Sequence, residues 1–218
     1  MTSCALWRLY VIVDRAAIGH REPCEVAAHA IRGGADVIQL RDKAADGPQL
    51  IRAAEQLLSL TRAAGIPLMI NDRADVAQAV GATGVHIGQD DLSVREARRL
   101  LGPSRVIGKS THSLKQALAA ETEGADYLGC GPIFPTPTKP DYESVGLPLI
   151  RQLMGAVRIP VVCIGGIDAV SLGQVLEAGA ECVAVVRAVC AAANPESATR
   201  GLKDRIEQLF RSSACTRL

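Results

Sequence analysis

The sequence contains few aromatic residues and no long hydrophobic run. Aromatic residues make up 3% of the 218 residues, with one Trp, three Tyr and two Phe, so the core has to be built from aliphatic side chains. No segment approaches the ~20 uninterrupted apolar residues of a membrane span. Met1 to Tyr10 also lacks the apolar segment of a signal peptide. We therefore expect no association with a membrane.

The sequence also lacks an excess of charge of either sign and a cysteine framework. A net charge of +1 leaves few cations to neutralise the backbone of a nucleic acid, whereas a small phosphorylated ligand needs only a local cluster. The cysteines form no C-x-x-C pair and have no His at zinc spacing, which predicts reduced thiols and a cytoplasmic protein. They are Cys4, Cys24, Cys130, Cys163, Cys182, Cys190 and Cys215.

A repeat runs along the whole chain. Four runs begin with Gly-Ala, at Gly34, Gly81, Gly124 and Gly179, and each follows an amphipathic helical pattern and leads into a strand-like run. Glycine suits the left-handed conformation that ends many helices. With the intervening runs, the pattern predicts eight strands that alternate with eight helices. The predicted helices are Pro23–Arg32, Pro48–Ala64, Ala74–Val80, Ser93–Leu101, Ser113–Glu123, Pro148–Gly155, Val170–Ala178 and Pro195–Phe210.

Strict alternation of strands and helices is typical of α/β proteins with parallel sheets. Eight units in a chain of this length predict a single (β/α)8 TIM barrel over residues 1–218, with residues 9–210 as the ordered barrel and residues 212–218 frayed. The alternative is an open doubly wound sheet, but no strand ends in a G-x-G-x-x-G turn. In a closed barrel the chemistry lies at the carboxyl ends of the strands.

Polar residues that bind anions follow the second strand. Strand periodicity places Gln39, Arg41 and Lys43 on one side, where the two cations would repel each other unless an anion lies between them. A guanidinium and an ammonium can hold a diphosphate from two directions. The alternative is a solvated loop with a surface ion pair.

Carboxylates follow the next two strands. Asp72 ends the third strand beside Asn71, and Asp91 follows the fourth, so the two carboxylates can share a cation. Magnesium takes few protein ligands and completes its shell with water and phosphate oxygens. Either Asp could instead cap the following helix, and the sequence does not separate Asp90 from Asp91 in that role.

Three later segments are typical of phosphate binding. A long loop after the sixth strand carries Thr136, Thr138 and Lys139, and long loops in compact domains are usually functional. Gly166 follows the seventh strand, and the Val186-Arg187 pair follows the eighth, where barrels of this kind often bind phosphate. The alternatives are a surface insertion and a plain turn. His86 is predicted to be a packed strand residue. His112 follows the fifth strand and could reach the site, but nothing in the sequence pairs either histidine with a nucleophile.

Five segments together resemble the motifs of the thiamine-phosphate synthase family, and the resemblance extends from about Leu9 to Ala198. They are Gln39-Leu40-Arg41-Asp42-Lys43, Ile70-Asn71-Asp72-Arg73, Gly84 to Asp91, Gly131 to Lys139 and Ile164-Gly165-Gly166-Ile167. The resemblance implies a (β/α)8 transferase that joins an aminopyrimidine diphosphate to a thiazole phosphate with the help of Mg²⁺. It also assigns roles to individual residues. The pyrimidine diphosphate would contact Gln39, Arg41, Lys43, Asn71, Ser110 and Lys139, with Ser110 and Lys139 close to the reacting atoms; Asp72 and Asp91 would bind Mg²⁺; and the thiazole phosphate would contact Thr136, Thr138, Gly166, the backbone around Val186, and Arg187.

One departure and two alternatives accompany the resemblance. Arg187 stands where many family members have Ser, and we expect its guanidinium to contact the thiazole phosphate. A thiazole tautomerase-like paralogue would need neither the magnesium carboxylates nor the diphosphate cations. A non-catalytic barrel that binds phosphate ligands would not need both a metal site and two phosphate sites that face each other. The sequence leaves open a homo-oligomer and a carboxylated thiazole substrate.

Overall fold

The computed structural model describes residue 4 and residues 7–138 and 142–215, with side chains up to residue 212. Its eight strands are all parallel and form a closed barrel in chain order, in which the first strand pairs with the last. This confirms the predicted α/β fold, a (β/α)8 TIM barrel, and excludes the open sheet. The strands are β1 (Leu9–Asp14), β2 (Val37–Arg41), β3 (Leu68–Asn71), β4 (Gly84–Ile87), β5 (Val106–Thr111), β6 (Tyr127–Cys130), β7 (Val161–Ile164) and β8 (Cys182–Val185).

Helices follow every strand and cover the outside of the barrel. Seven of them lie within about two residues of their predicted bounds; the short α8 was not predicted, and α9 continues past the predicted end at Phe210 to Cys215. The frayed terminus stays a prediction, and residues 216–218 lie outside the described part. The helices are α1 (Pro23–Arg32), α2 (Gly47–Ala64), α3 (Ala74–Val80), α4 (Val94–Leu101), α5 (Leu114–Glu123), α6 (Gly146–Met154), α7 (Leu172–Glu177), α8 (Arg187–Cys190) and α9 (Pro195–Cys215).

The repeated glycines end helices as the sequence predicts. Gly34, Gly81, Gly124 and Gly179 have φ angles of 97°, 71°, 94° and 107°. A side chain is disfavoured in this left-handed region, because its Cβ would approach the following carbonyl oxygen. Each glycine therefore turns the chain from a helix back into the next strand, and the repetition of this turn produces the barrel.

The core has two parts. Aliphatic side chains fill the layer between strands and helices, whereas the barrel interior contains Trp7, Tyr10 and Tyr127. The Trp7 ring meets both tyrosine rings edge-on, with centroids 5.9 and 5.4 Å away. Three of the six aromatic residues are thus clustered in the barrel interior, below its mouth. No helix in the described part of the chain is long and apolar enough to cross a membrane.

Candidate active site

A cavity of about 760 Å³ opens at the carboxyl ends of the strands. Every predicted site residue in the described part of the chain lines this cavity, and Lys139 lies outside the described residues. Residues from seven strands or their following loops, β2 to β8, therefore meet in one place, as the barrel hypothesis requires. The predicted residues that line it are Gln39, Arg41, Lys43, Asn71, Asp72, Asp91, Ser110, Thr136, Thr138, Gly166, Val186 and Arg187.

Asp72 and Asp91 form a carboxylate pair at one side of the cavity. The backbone N–H of Asp72 donates to the carbonyl of His86 at 2.8 Å, and the Asp91 carboxylate accepts from the N–H of Gly88 at 2.6 Å. Burial raises the pKa of Asp72, and the adjacent Asp91 raises it further, while Lys43 opposes both effects. The two carboxylates therefore repel each other, and a cation bound between them would remove this unfavourable electrostatic energy.

Neither carboxylate serves as a helix cap, so that alternative is wrong. Helix α4 is capped by Ser93, whose hydroxyl accepts from the N–H of Glu96 while the Glu96 carboxylate accepts from the N–H of Ser93. Helix α3 begins after Arg73 without a side-chain cap. Among the described residues no three His, Cys, Asp or Glu side chains cluster as metal ligands. Two adjacent carboxylates that can bind the same ion suit Mg²⁺, which prefers oxygen ligands and needs few of them from the protein.

The cations of the second strand are paired with carboxylates. Arg41 donates to Asp14 at 2.5 Å, and Asp14 is buried at the end of β1. Lys43 lies 3.4 Å from Asp72 and is mostly exposed. The expectation that these cations repel each other without an anion is therefore wrong. Asp14 fixes the Arg41 guanidinium, whereas Lys43 keeps the freedom to move towards a ligand.

Ser110 and Gln39 reach the cavity from its floor. The Ser110 hydroxyl lies 2.9 Å from Nε2 of His86, and the Gln39 amide donates to the Tyr10 hydroxyl at 2.8 Å. The expectation that no His is paired with a nucleophile-type side chain is wrong, because His86 contacts Ser110. His112 packs instead against the Tyr142 ring, with centroids 4.6 Å apart.

The opposite side of the cavity is built from backbone. The loop after β6 follows the end of β7, since Ile133 donates to the Ile164 carbonyl at 2.8 Å and Phe134 to Gly165 at 3.0 Å. Gly166 has a φ of 64°, and a Cβ there would lie 2.7 Å from that of Phe134. This close packing brings the loop that carries Thr136 and Thr138 beside Gly166 and the start of α8.

Three groups around the site were not predicted as contributors. Asp14 binds Arg41, Lys109 lies beneath the loop that carries Asp91, and Tyr127 contacts His86. One signal was available for Asp14, because the register of parallel strands places it beside Arg41. Tyr127 contacts a residue two strands away, and the position of Lys109 depends on the conformation of a loop. No local sequence pattern predicts either contact.

The fold and the cavity define a class, the (β/α)8-barrel enzymes whose active site lies at the carboxyl ends of the strands. Comparison with known proteins identifies the family. A family model described as thiamine monophosphate synthase matches residues 9–189. The thiamine-phosphate synthase of Chloroflexus aurantiacus is 50% identical over 90% of this chain and 91% of its own length. That of Roseiflexus castenholzii is 47% identical over 90% of this chain and 86% of its own.

A solved structure agrees with these sequences. Thiamine phosphate pyrophosphorylase from Pyrococcus furiosus superposes with a TM-score of 0.86 at 39% identity, over 93% of this chain and 96% of that one. The chain belongs to the thiamine-phosphate synthase family. It is a transferase that acts on small molecules, and the names of its relatives favour the synthase over the tautomerase-like and non-catalytic alternatives.

Proposed function

We propose that the chain couples 4-amino-2-methyl-5-hydroxymethylpyrimidine diphosphate with a thiazole phosphate, giving thiamine phosphate and diphosphate. The observation that supports this proposal best is the distribution of groups around one cavity. A carboxylate pair with two cations occupies the side formed by β2 to β4, and a glycine- and threonine-rich corner occupies the side formed by β6 to β8. Two phosphorylated substrates can enter such a cavity with their reacting ends facing each other.

The pyrimidine diphosphate would bind at the carboxylate side. Arg41, already oriented by Asp14, and Lys43 are suited to the diphosphate oxygens. In the proposal Asn71, Gln39, Ser110 and Lys139 complete the contacts with this substrate. Asp72 and Asp91 would hold Mg²⁺, which neutralises charge on the departing diphosphate when it is bound.

The thiazole phosphate would bind at the opposite side. In the proposal the phosphate contacts the backbone at Gly166 and Val186 and the hydroxyls of Thr136 and Thr138. Support comes from Gly166, which lines the cavity with a φ of 64°, because glycine allows the backbone to approach a ligand closely. Arg187 is exposed at the rim of the cavity and can fold over the same phosphate.

The reaction would be a dissociative displacement. The aminopyrimidine ring supplies electrons to its exocyclic methylene carbon as the bond to the diphosphate oxygen breaks. The thiazole nitrogen then supplies the electron pair of the new carbon–nitrogen bond. The residues of the chain hold the two substrates in line and stabilise the departing charge, which are contributions of positioning and electrostatics rather than of covalent catalysis.

The proposal is tested by incubating the purified protein with both substrates and Mg²⁺ and measuring thiamine phosphate by chromatography. Asp91→Asn should lose activity by about two orders of magnitude or more, because departure of diphosphate loses electrostatic support. Asp90→Asn is the matched control, since Asp90 lines the same cavity one residue away, and it should remain active. Full activity of Asp91→Asn, or of the wild type in excess EDTA, would contradict the metal assignment.

The location in the cell is part of the proposal. The described cysteines Cys4, Cys24, Cys130, Cys163, Cys182 and Cys190 are free thiols, which suits the reducing cytoplasm. Fractionation of cells with an antibody against the protein is the direct measurement, and recovery in an oxidising compartment would contradict the proposal.

A further inference from the structure

A chain of hydrogen bonds crosses the barrel interior below the cavity. It begins at the Ser110 hydroxyl, 2.9 Å from His86 Nε2, and continues from His86 Nδ1 to the Tyr127 hydroxyl at 3.0 Å. The Tyr127 hydroxyl lies 3.1 Å from that of Tyr10, which in turn accepts from the Gln39 amide at 2.8 Å. The chain therefore links two residues on different sides of the cavity floor, and its three middle members have no role in the function proposed above.

Two glycines leave space for the rings of these hydrogen-bonded side chains. A Cβ at Gly108 would lie 2.1 Å from Cζ of Tyr127, and a Cβ at Gly129 would lie 2.9 Å from Cε1 of His86. The His86 ring stacks on Tyr127 with a centroid distance of 5.4 Å and an interplanar angle of 28°. Both rings are thus held in one orientation, because two glycines in adjacent strands provide the volume that the rings occupy.

The Gln39 amide, as a donor at one end, favours one direction for the protons in these hydrogen bonds. The Tyr10 oxygen accepts from Gln39, so the Tyr10 proton is available to Tyr127. In this direction Tyr127 would donate to Nδ1 of His86, and the proton on Nε2 would be donated to the Ser110 oxygen. With the opposite direction the Tyr10 oxygen would accept two hydrogen bonds, and the Tyr10 proton would find no acceptor among the five hydrogen-bonded side chains from Ser110 to Gln39. Burial raises the pKa of both tyrosines, so both remain neutral and able to donate.

From this geometry we propose that His86 is a positioning residue that directs the Ser110 hydroxyl proton into the cavity. A histidine that donates to the Ser110 oxygen occupies one of its lone pairs, which leaves the hydroxyl proton free to be donated to an oxygen of the departing diphosphate. The Gln89 amide assists by holding the backbone carbonyl of Ser110 at 2.5 Å. The inference rests on the proposed role of Ser110, and it adds a group that acts through Ser110 without bonding to the substrate itself.

A double-mutant cycle on turnover tests this inference. His86→Asn keeps a polar group near the position of Nδ1 and loses contact with Ser110, whereas His86→Gln keeps one near Nε2. We expect His86→Asn to lower kcat about 10-fold or more with little change in either KM, and His86→Gln to lower it less. In a Ser110→Ala background, His86→Asn should change kcat by less than about 2-fold, because the group on which it acts is absent. Equal losses in both backgrounds would overturn the proposal.

A spectroscopic measurement tests the same inference without turnover. In protein labelled with ¹⁵N-histidine, the signals lost in His86→Gln belong to His86, and they should report a protonated Nε2 and an unprotonated Nδ1. Tyr127→Phe removes one hydroxyl and keeps the ring, so it should shift His86 away from this single tautomer. A protonated Nδ1 in the wild type, or an unchanged tautomer in Tyr127→Phe, would contradict the proposal even if the substrates were assigned incorrectly.

Discussion

At the scale of single residues, Asp72 combines two unfavourable features. Its φ of 62° lies in the left-handed region. This conformation costs a residue other than glycine roughly 1–2 kcal/mol of conformational free energy, although Asp tolerates it better than most. Its carboxylate also lies beside that of Asp91 in a partly buried position. Local strain and like-charge contact in one residue are typical of a functional site.

The first prediction concerns Asp72→Asn, which keeps the shape and the tolerance for a left-handed backbone. Without metal at neutral pH the variant should be more stable than the wild type, because the repulsion from Asp91 is removed. Addition of Mg²⁺ should raise the melting temperature of the wild type and not that of the variant. Equal Mg²⁺ stabilisation of both proteins by calorimetry would show that Asp72 does not bind the metal.

The pH dependence follows from the same pair. Because the pKa of Asp72 is raised on folding, the folded state binds the proton more tightly than the unfolded chain, so metal-free stability falls as pH rises above the usual value of 3.8. The stability advantage of Asp72→Asn should therefore be present at pH 7 and vanish below pH 3.8. Urea denaturation at several pH values measures this difference, and an advantage that grows on acidification would contradict the assigned cause.

The second prediction concerns Arg187, which begins α8 at the rim of the cavity. A charge-assisted hydrogen bond to a phosphate contributes about 1.5–3 kcal/mol, so Arg187→Ser should raise the KM for thiazole phosphate about 10-fold or more. The KM for pyrimidine diphosphate should change little. Steady-state kinetics at low salt distinguish the two constants, and an unchanged thiazole constant would show that the side chain points to solvent.

At the scale of elements, the loop after β4 is held from below by a buried lysine. The Lys109 ammonium donates to the carbonyl of Gly88 at 2.6 Å and to that of Leu92 at 3.4 Å, and these two residues flank the loop that carries Asp91. Burial lowers the pKa of Lys109. The ammonium thus fixes both ends of the loop while one of its central residues faces the cavity.

The third prediction is that Lys109→Met raises the Mg²⁺ concentration needed for half-maximal activity about 10-fold, by analogy with groups that orient metal ligands. Met keeps most of the buried volume, so the fold should be retained. Lys115→Met is the matched control, since Lys115 is exposed on α5, and its metal requirement should equal that of the wild type. An unchanged requirement in Lys109→Met would show that the loop holds its shape alone.

The elements themselves could be predicted from sequence because their signals are local. Four Gly-Ala pairs, each between a helical pattern and a strand-like run, mark turns, and most helix boundaries agree to within about two residues. The short α8 could not be predicted, because four residues carry no measurable periodicity. The end of α9 lies beyond Phe210 because nothing in the sequence there breaks a helix.

At the scale of the whole molecule, the site could be predicted in part. Cavity-lining residues such as Arg41 and Thr136 lie in motifs that end strands, so the barrel hypothesis alone brings them to one face. The contact between Ser110 and His86 could not be predicted, because the two residues are 24 positions apart. Asp14 is 27 positions from Arg41 and can be inferred only once β1 and β2 are aligned in register. Such pairs arise only when strands become neighbours. The glycines at 108 and 129 were the one local sign that something bulky fills the interior.

The fourth prediction tests this packing. In Gly108→Ala the added Cβ would lie 2.1 Å from the Tyr127 ring, so the barrel has to shift and should lose about 1–3 kcal/mol or more of stability. Gly201→Ala is the control, because it lies within α9 with nothing within 4 Å, and it should be neutral or gain up to ~1 kcal/mol. Urea denaturation compares the two, and equal stabilities would show that the interior adapts to the methyl group.

The scarcity of aromatic residues has an optical consequence. Trp7 is the only tryptophan in the chain, it is 4% exposed, and it touches Tyr10 and Tyr127. All indole fluorescence therefore comes from one point beneath the cavity floor. Those tyrosines absorb at shorter wavelength and transfer their excitation to the indole. The emission of the unmodified protein therefore reports changes in the surroundings of Trp7 when a substrate binds in the cavity above it.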